Sequence, residues 1–396
     1  MTITTKHLII GGGLEGLAIA WALTARGERD VIVVDRAQLC SGMTGKSSGV
    51  VRCHYGTPSI AAMSWYGVHV LSNAHEILGD EVGFEQCGYV VAVNGPNEAA
   101  LRANVAMHKG LGIDVDLHAP DLLADLWPGM QTDDMTLVAY EPRGGRGDGP
   151  MLGMAFAGSA RRAGASFRQG AEVRELLQDR TDRIYGARFA DGSEIHAENV
   201  VLATNVWAPE LASQVGIDLP IKAELAQLVI VDPGAPLPRV PVLSDLVSLQ
   251  YLCREPNGTL LAGNSDHGEP IYANPDHYPG SASESYIDAT IPKVADRLPA
   301  MPAPSLAGSY TGCYDVTPDY NPIIGPAPLP GLFIAAGFSG HGFKISPAVG
   351  RLAADLLLDG DSSDPNIAAH DFRYSRFEES DLLVSQNPYA GAGQMR

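Results

Sequence analysis

Between Leu8 and Asp35 the chain reads strand, glycine turn, helix, strand, and few folds accommodate that order. Leu8-Ile9-Ile10 is a short apolar run followed by Gly11-Gly12-Gly13-Leu14-Glu15-Gly16. Residues 14–26 carry Ala18, Ala22 and Ala25, small side chains suited to a helix pressed onto a sheet. Gly27 stops that helix, and Val31-Ile32-Val33-Val34 forms a second apolar run ending in Asp35. Strands without polar alternation are covered on both faces, which in this order means a parallel sheet. Gly11-x-Gly13-x-x-Gly16 at the strand-to-helix junction, with Asp35 nineteen residues beyond Gly16, is a dinucleotide fingerprint. The first glycine allows the turn, the second lets backbone approach a pyrophosphate, and the third packs helix against strand. The helix N-terminus faces the phosphate charge, and Asp35 accepts from ribose hydroxyls. This motif alone does not separate NAD from FAD.

At 396 residues the chain has room for two or three domains of about 150 residues. The 27 basic and 46 acidic residues leave a net charge of −19, which argues against nucleic acid or an anionic membrane as partner. In such a chain an anionic substrate needs a few placed cations, and there are only six lysines: Lys6, Lys46, Lys109, Lys222, Lys293 and Lys344. Five cysteines with no C-x-x-C pair suit reduced thiols in a cytoplasmic protein. No His/Cys spacing suggests a metal site. The N-terminus lacks a signal-peptide pattern, and no apolar run reaches the ~18 residues needed for membrane insertion.

Residues 173–203 alternate apolar and polar positions around a turn at Asp191-Gly192, then reach the buried run Val200–Ala203. Gly331–Ala336 is another buried strand, followed by the glycine-rich 337–342 and a helix expected from about Ser346 to Leu358. These blocks belong with the fingerprint in one nucleotide-binding domain. The intervening 84–139 and 219–311 read as mixed strands and proline-rich turns of a separate sheet. The tail beyond about residue 380 is expected to fray or dock loosely.

Two further stretches sharpen the reading. Gly45-Lys46-Ser47-Ser48-Gly49-Val50-Val51-Arg52-Cys53-His54-Tyr55 follows the first strand pair. Thr317-Pro318-Asp319-Tyr320-Asn321-Pro322-Ile323-Ile324-Gly325 precedes Gly337-Phe338-Ser339-Gly340-His341-Gly342-Phe343-Lys344-Ile345-Ser346-Pro347. With the fingerprint, these resemble the D-amino-acid oxidase superfamily of FAD enzymes, nearest its sarcosine oxidase branch. Pro142-Arg143-Gly144-Gly145 adds a likeness to the beta subunit of heterotetrameric sarcosine oxidase. The resemblance implies FAD rather than NAD and an α/β fold. In it a discontinuous Rossmann-like FAD-binding domain (1–83, 140–218 and 312–396) interleaves with an α+β substrate domain on an antiparallel-rich sheet (84–139 and 219–311).

The same resemblance places Gly11, Gly13, Leu14, Glu15, Gly16, Asp35, Arg36, Thr44, Ser47, Ser48 and Gly49 at the cofactor. Val173, Ala203, Thr204, Trp207, Gly312, Gly337, Ser339, Gly340, His341, Gly342, Phe343 and Lys344 complete the set. It assigns Arg52 and Lys344 to the substrate carboxylate beside the flavin. The residues agree: Lys344 sits between Phe343 and Ile345, a costly place for a cation without an anion. The planar fork of Arg suits a carboxylate, and Lys adds a point charge. His341 either approaches the flavin or braces its loop. Tyr251 and Tyr314 match pocket tyrosines of the family, and His267 is a weaker candidate. A helix from Ser346 turns its positive end toward the flavin pyrimidine ring, favouring the reduced state.

The implied reaction is oxidation of a secondary or N-substituted amino acid. Hydride passes from carbon to flavin N5, and the resulting imine hydrolyses. Oxygen or a partner redox protein takes the electrons. The alternatives are a flavin subunit of a heteromeric complex, or a D-amino acid or proline-like imino acid dehydrogenase. Four departures from the family bear on this. Gly312 stands where monomeric sarcosine oxidase has its flavin-linking cysteine, with Cys313 one residue along on the opposite strand face, so noncovalent FAD is expected. Gly149 replaces the histidine that would attach a second flavin. Leu261 stands near the position of the oxygen-activating lysine, unless Lys222 substitutes. In Ala203-Thr204-Asn205-Val206-Trp207, Asn205 replaces a family glycine, tolerable because Asn enters left-handed backbone readily.

Overall fold

The computed structural model of the chain describes residues 3–266, 268–302 and 304–390. Its two large sheets each have eight strands. The apolar runs of the fingerprint lie at the centre of the first. Along its main path the order is Ile323–Pro326, Leu332–Ala336, Glu194–Leu202, Ile3–Ile10, Val31–Val34 and Ser166–Arg168. Pairings from Leu332–Ala336 to Ser166–Arg168 are all parallel, with Ile9 opposite both Val33 and Val201. The alternating segment forms Val173–Gln178, Ile184–Phe189 and Glu194–Leu202, an antiparallel meander whose turn carries Gly192 at φ +81°.

The second sheet runs Ser305–Val316, Lys222–Asp232, Leu260–Asn264, Gln250–Arg254, Val242–Asp245, Tyr89–Val93, Leu137–Glu141 and Asp116–His118. Every pairing is antiparallel except that of Val242–Asp245 with Tyr89–Val93. Two of these strands, Leu137–Glu141 and Ser305–Val316, run past positions 139 and 311, where the sequence suggests changes of domain. Ser305–Val316 pairs with Lys222–Asp232 over its whole length, then carries on to the first sheet's cavity.

The helix Leu14–Ala25 is buried on nearly every side because helices Gly149–Arg162 and Gly342–Leu358 pack against it. Small residues set the spacing. A Cβ on Gly350 would stand 2.4 Å from the Ala18 carbonyl oxygen, and one on Gly67 only 1.8 Å from that of Lys344. The last helix begins at Gly342, four residues before the expected Ser346. Pro347 suggests a boundary, because the residue before proline avoids helical backbone. Here the Phe343 carbonyl that Pro347 leaves without a donor is taken by Ser346 Oγ at 3.0 Å, and the helix runs through. The segment beyond residue 380 is docked rather than frayed as far as it is described. Leu383 N–H donates to Asp319 at 3.1 Å, Ala390 N–H donates to Asn97 at 2.9 Å, and Tyr389 is buried.

Candidate active site

A cavity of about 480 Å³ opens at the carboxyl ends of the first-sheet strands, where open α/β sheets bind their ligands. Gly11, Gly13, Leu14, Glu15, Asp35, Arg36, Thr44, Ser47, Val173, Ala203, Thr204, Trp207, Gly312, Gly340, Gly342 and Phe343 all line it. The remaining expected cofactor residues lie behind this wall. A Cβ on Gly16 would meet the Gly11 carbonyl oxygen at 2.0 Å, and one on Gly49 that of Gly147 at 2.0 Å. Gly337 (φ +80°) donates to Asp315 at 2.7 Å, and Ser339 Oγ accepts from Thr317 N–H at 3.2 Å, so both brace the glycine loop. Asn205 takes φ +52°, the left-handed backbone its side chain tolerates.

The cavity wall suits a dinucleotide. Gly11 is required by the protein itself, since φ is +112° and a Cβ would stand 2.2 Å from the Ala203 oxygen. Gly13 is different: its nearest neighbour would be Thr44 Oγ1 at 3.4 Å, ordinary contact, so a ligand pressed against it explains the glycine. Asp35 is fixed by the Gly12 and Ala37 N–H groups at 2.8 and 2.7 Å. Glu15 Oε2, Thr204 Oγ1 and Asn205 Oδ1 are buried without partners, polar atoms awaiting a polar ligand. Burial, then nearby Asp315, raises the Glu15 carboxyl well above its ordinary range. Residues present therefore fit FAD.

Arg52 and Lys344 are both buried and converge on one ring. Arg52 stacks over Tyr55 with its guanidinium carbon 4.0 Å from the centroid, and Lys344 Nζ lies 5.7 Å from the same centroid. Lys344 has only the Gly340 carbonyl at 3.5 Å, and no carboxylate pairs with either cation among the described residues. Burial, then the neighbouring Arg52, pushes the Lys344 ammonium well below its ordinary pKa. An incoming anion would relieve this. His341 Nδ1 is 3.2 Å from the Tyr55 hydroxyl, with the rings edge-to-face, and it lines a second cavity of about 310 Å³ under the C-terminal segment. It therefore stands on the Tyr55 side of the loop.

Tyr251 lies beside both Tyr314 and Ser48, which places Ser48 with the tyrosines rather than in the cofactor wall. Burial pushes Tyr314 up to about 12 and Tyr251 well above its ordinary value, so neither is a base at neutral pH. Gly263 makes room for the Tyr251 ring, since a Cβ there would meet it at 2.2 Å. Leu261 is buried, and Lys222 is exposed 5.1 Å from the Tyr272 ring, away from the cavity. His267 lies outside the described residues.

Several contributors escape the sequence motifs. Asp276 accepts from both Arg36 (3.1 Å) and Trp207 Nε1 (2.9 Å), and Pro275 and Tyr278 line the cavity from the second-sheet side. Cys313 lines the cavity, as its strand neighbours Gly312, Tyr314 and Asp315 do. Burial pushes that thiol up to about 11, so it stays protonated and weakly nucleophilic. Glu141 and Tyr389 reach the Arg52 segment from remote positions. Among the described residues no helix is long and apolar enough to cross a membrane.

Comparison with known proteins agrees with this geometry. Residues 6–356 match the family described as FAD dependent oxidoreductase. A 4-methylaminobutanoate oxidase (formaldehyde-forming) of Paenarthrobacter nicotinovorans is 25% identical over 98% of this chain, which spans only 48% of that protein. Sarcosine oxidase subunit beta of an Arthrobacter species is 24% identical over 95% of this chain and 92% of its own. The crystal structure of L-proline dehydrogenase from P. horikoshii superposes with a TM-score of 0.87 at 26% identity, over 96% of this chain and all of that one. A cavity that fits a dinucleotide and this likeness lead to one conclusion: the chain belongs to the family of FAD-dependent oxidoreductases.

Proposed function

We propose that the substrate is a secondary or N-substituted amino acid whose carboxylate is held by Arg52 and Lys344. The observation that carries this is the pair of buried cations sharing the Tyr55 ring without a protein carboxylate. Buried unpaired charge is strongly unfavourable, so its retention calls for an anion in the working complex. Arg52 offers two parallel donors, and Lys344, at the start of the last helix, adds charge where that helix's N-terminus is already positive. Tyr251 and Tyr314 present hydroxyls that orient the amine without removing a proton from carbon. An amine that binds neutral needs no protein base, and its orientation supplies much of the acceleration. Bound FAD supplies the hydride acceptor. The oxidase and dehydrogenase relatives, named for a methylamino acid, sarcosine and proline, support an amine of this class.

Anaerobic mixing with a panel of amino acids is the test. N-methyl and cyclic amino acids should bleach the flavin, and their primary counterparts should do so far more slowly. Bleaching by primary amino acids alone, or by none, would reject the substrate class. Readmitting air separates the acceptors: Leu261 in place of a cation leaves developing oxygen anion unstabilised, so slow reoxidation is expected, as for a chain that passes electrons to a partner protein. The flavin is read as noncovalent, because burial pushes both cysteine thiols of the cavity wall up, Cys40 to about 12 and Cys313 to about 11, and leaves them protonated. Acid precipitation should release all the flavin to the supernatant; a yellow pellet would overturn this.

A further inference from the structure

Residues 52–57 join the short strand Val50–Val51 to the helix that begins at Pro58, without regular secondary structure and entirely buried. Buried backbone outside helices and sheets must find hydrogen bonds elsewhere. Here side chains from two remote elements and from the segment itself supply them. Glu141 Oε2, at the end of Leu137–Glu141, accepts from the Cys53 N–H at 2.8 Å. His108, on the helix Gly95–Gly110, donates from Nε2 to the Tyr55 carbonyl at 2.8 Å. The Arg52 guanidinium itself donates to the His54 carbonyl. His54 Nε2 then meets the Tyr389 hydroxyl of the C-terminal segment at 2.6 Å, while its Nδ1 lies 3.7 Å from Glu141 Oε1. That segment has anchors of its own, the Asn387 carbonyl accepting from Asn104 at 3.1 Å and Ala390 donating to Asn97.

We propose that Glu141, His54 and Tyr389 are positioning residues for Arg52, locking the irregular 52–55 backbone from which its guanidinium reaches the substrate carboxylate. Docking of the C-terminal segment through Tyr389 completes the lock. The proposal rests on the assignment of Arg52 to that carboxylate. A fork-shaped donor is useful only in one orientation, and an irregular segment has no ladder to impose it. Burial holds both histidines neutral and raises the Glu141 carboxyl to about 7, against the pull of Cys53 N–H and Arg52. The ligand atoms of His54, His108 and Glu141 lie within 4.8 Å of one another, loose for an ion that binds imidazole nitrogen at about 2.1 Å. Arg52 beside them opposes a further cation. Glu141 Oε2, His54 Nε2 and His108 Nε2 are engaged instead in the hydrogen bonds above.

The test uses holoenzyme, with acetate as carboxylate probe read by its perturbation of the flavin spectrum. Glu141→Gln and Tyr389→Phe should each weaken acetate binding about tenfold, and raise KM for the amine that reduces the flavin more than they lower kcat. In an Arg52→Met background neither should weaken acetate further, because the residue they position is gone. Equal weakening in both backgrounds would assign them a general structural role and overturn the proposal. So would unchanged affinity in the single variants while Arg52→Met loses acetate, an outcome that leaves the clamp standing. If Arg52→Met itself leaves acetate binding intact, the clamp reading fails and the proposal with it. One zinc per chain, retained through dialysis and lost in His108→Ala, would also overturn it. Tyr389→Phe removes a single oxygen, so it carries the test should Glu141→Gln fail to fold.

Discussion

Lys344→Met should give a protein that is more stable and far less active. Methionine keeps the side chain out to Cε and removes a buried ammonium that has no carboxylate partner, so thermal stability is expected to rise. Losing one charged contact to a bound carboxylate costs about 3 kcal/mol, roughly a hundredfold in substrate KM or in the rate of flavin reduction. Arg52→Met should lose a similar factor with FAD still bound. Unchanged kinetics in both variants would sink the clamp. A pH dependence separates the two cations. Burial and Arg52 hold the Lys344 pKa down in the free enzyme, and a bound carboxylate raises it again, so binding takes up a proton. Acetate affinity should therefore fall as pH rises through the free-enzyme pKa of Lys344. Lys344→Met should abolish that slope, and a slope surviving in the variant would assign the proton elsewhere.

The second large effect is a contrast between two glycines of one turn. Gly13→Ala should leave the apoprotein fold and its melting temperature nearly unchanged, because a methyl there meets only Thr44 Oγ1 at 3.4 Å. It should nonetheless weaken FAD binding by about ten- to a hundredfold, the cost of about 1–3 kcal/mol for forcing an extra carbon into a filled contact. Gly11→Ala should fail differently. Its Cβ would collide with the Ala203 backbone at 2.2 Å in a φ +112° conformation, so the apoprotein itself should melt earlier as well as losing cofactor. Fluorescence titration of apoprotein with FAD, beside calorimetry of each apoprotein, resolves both. If Gly13→Ala binds FAD with unchanged affinity, the pyrophosphate does not lie against that turn.

The sequence was most legible where one residue type has one physical use. Gly11, Gly13, Gly16 and Asp35 sit at fixed spacing around a turn, and a lysine between Phe343 and Ile345 in a chain of net charge −19 invites the question of its partner. What stayed hidden is held by long-range contacts with no local signature. Asp276 joins Arg36 and Trp207 across 240 and 69 positions, and Glu141 reaches Cys53 across 88. Tyr389 sits in a polar, glycine-rich tail whose composition reads as loose, yet its ring is buried against His54. The helix start at Gly342 was obscured by Pro347, because the hydroxyl that compensates it is contributed by the preceding residue.

The strand Ser305–Val316 joins the second sheet to the wall of the cofactor cavity. It is bonded to Lys222–Asp232 from Ser305 through Val316, and within that span it presents Gly312 to Asp315 to the cofactor cavity. The roof over the substrate and the wall beside the flavin are thus one stiff beam. Both strands of this ladder belong to the second sheet, so any movement of that sheet carries the Gly312–Asp315 wall of the cavity with it. The 275–278 segment over Met43 and the C-terminal segment over His341 lie outside the ladder. Pairing with Glu224 fixes Tyr314 in the wall, so the cavity and the second sheet keep one register.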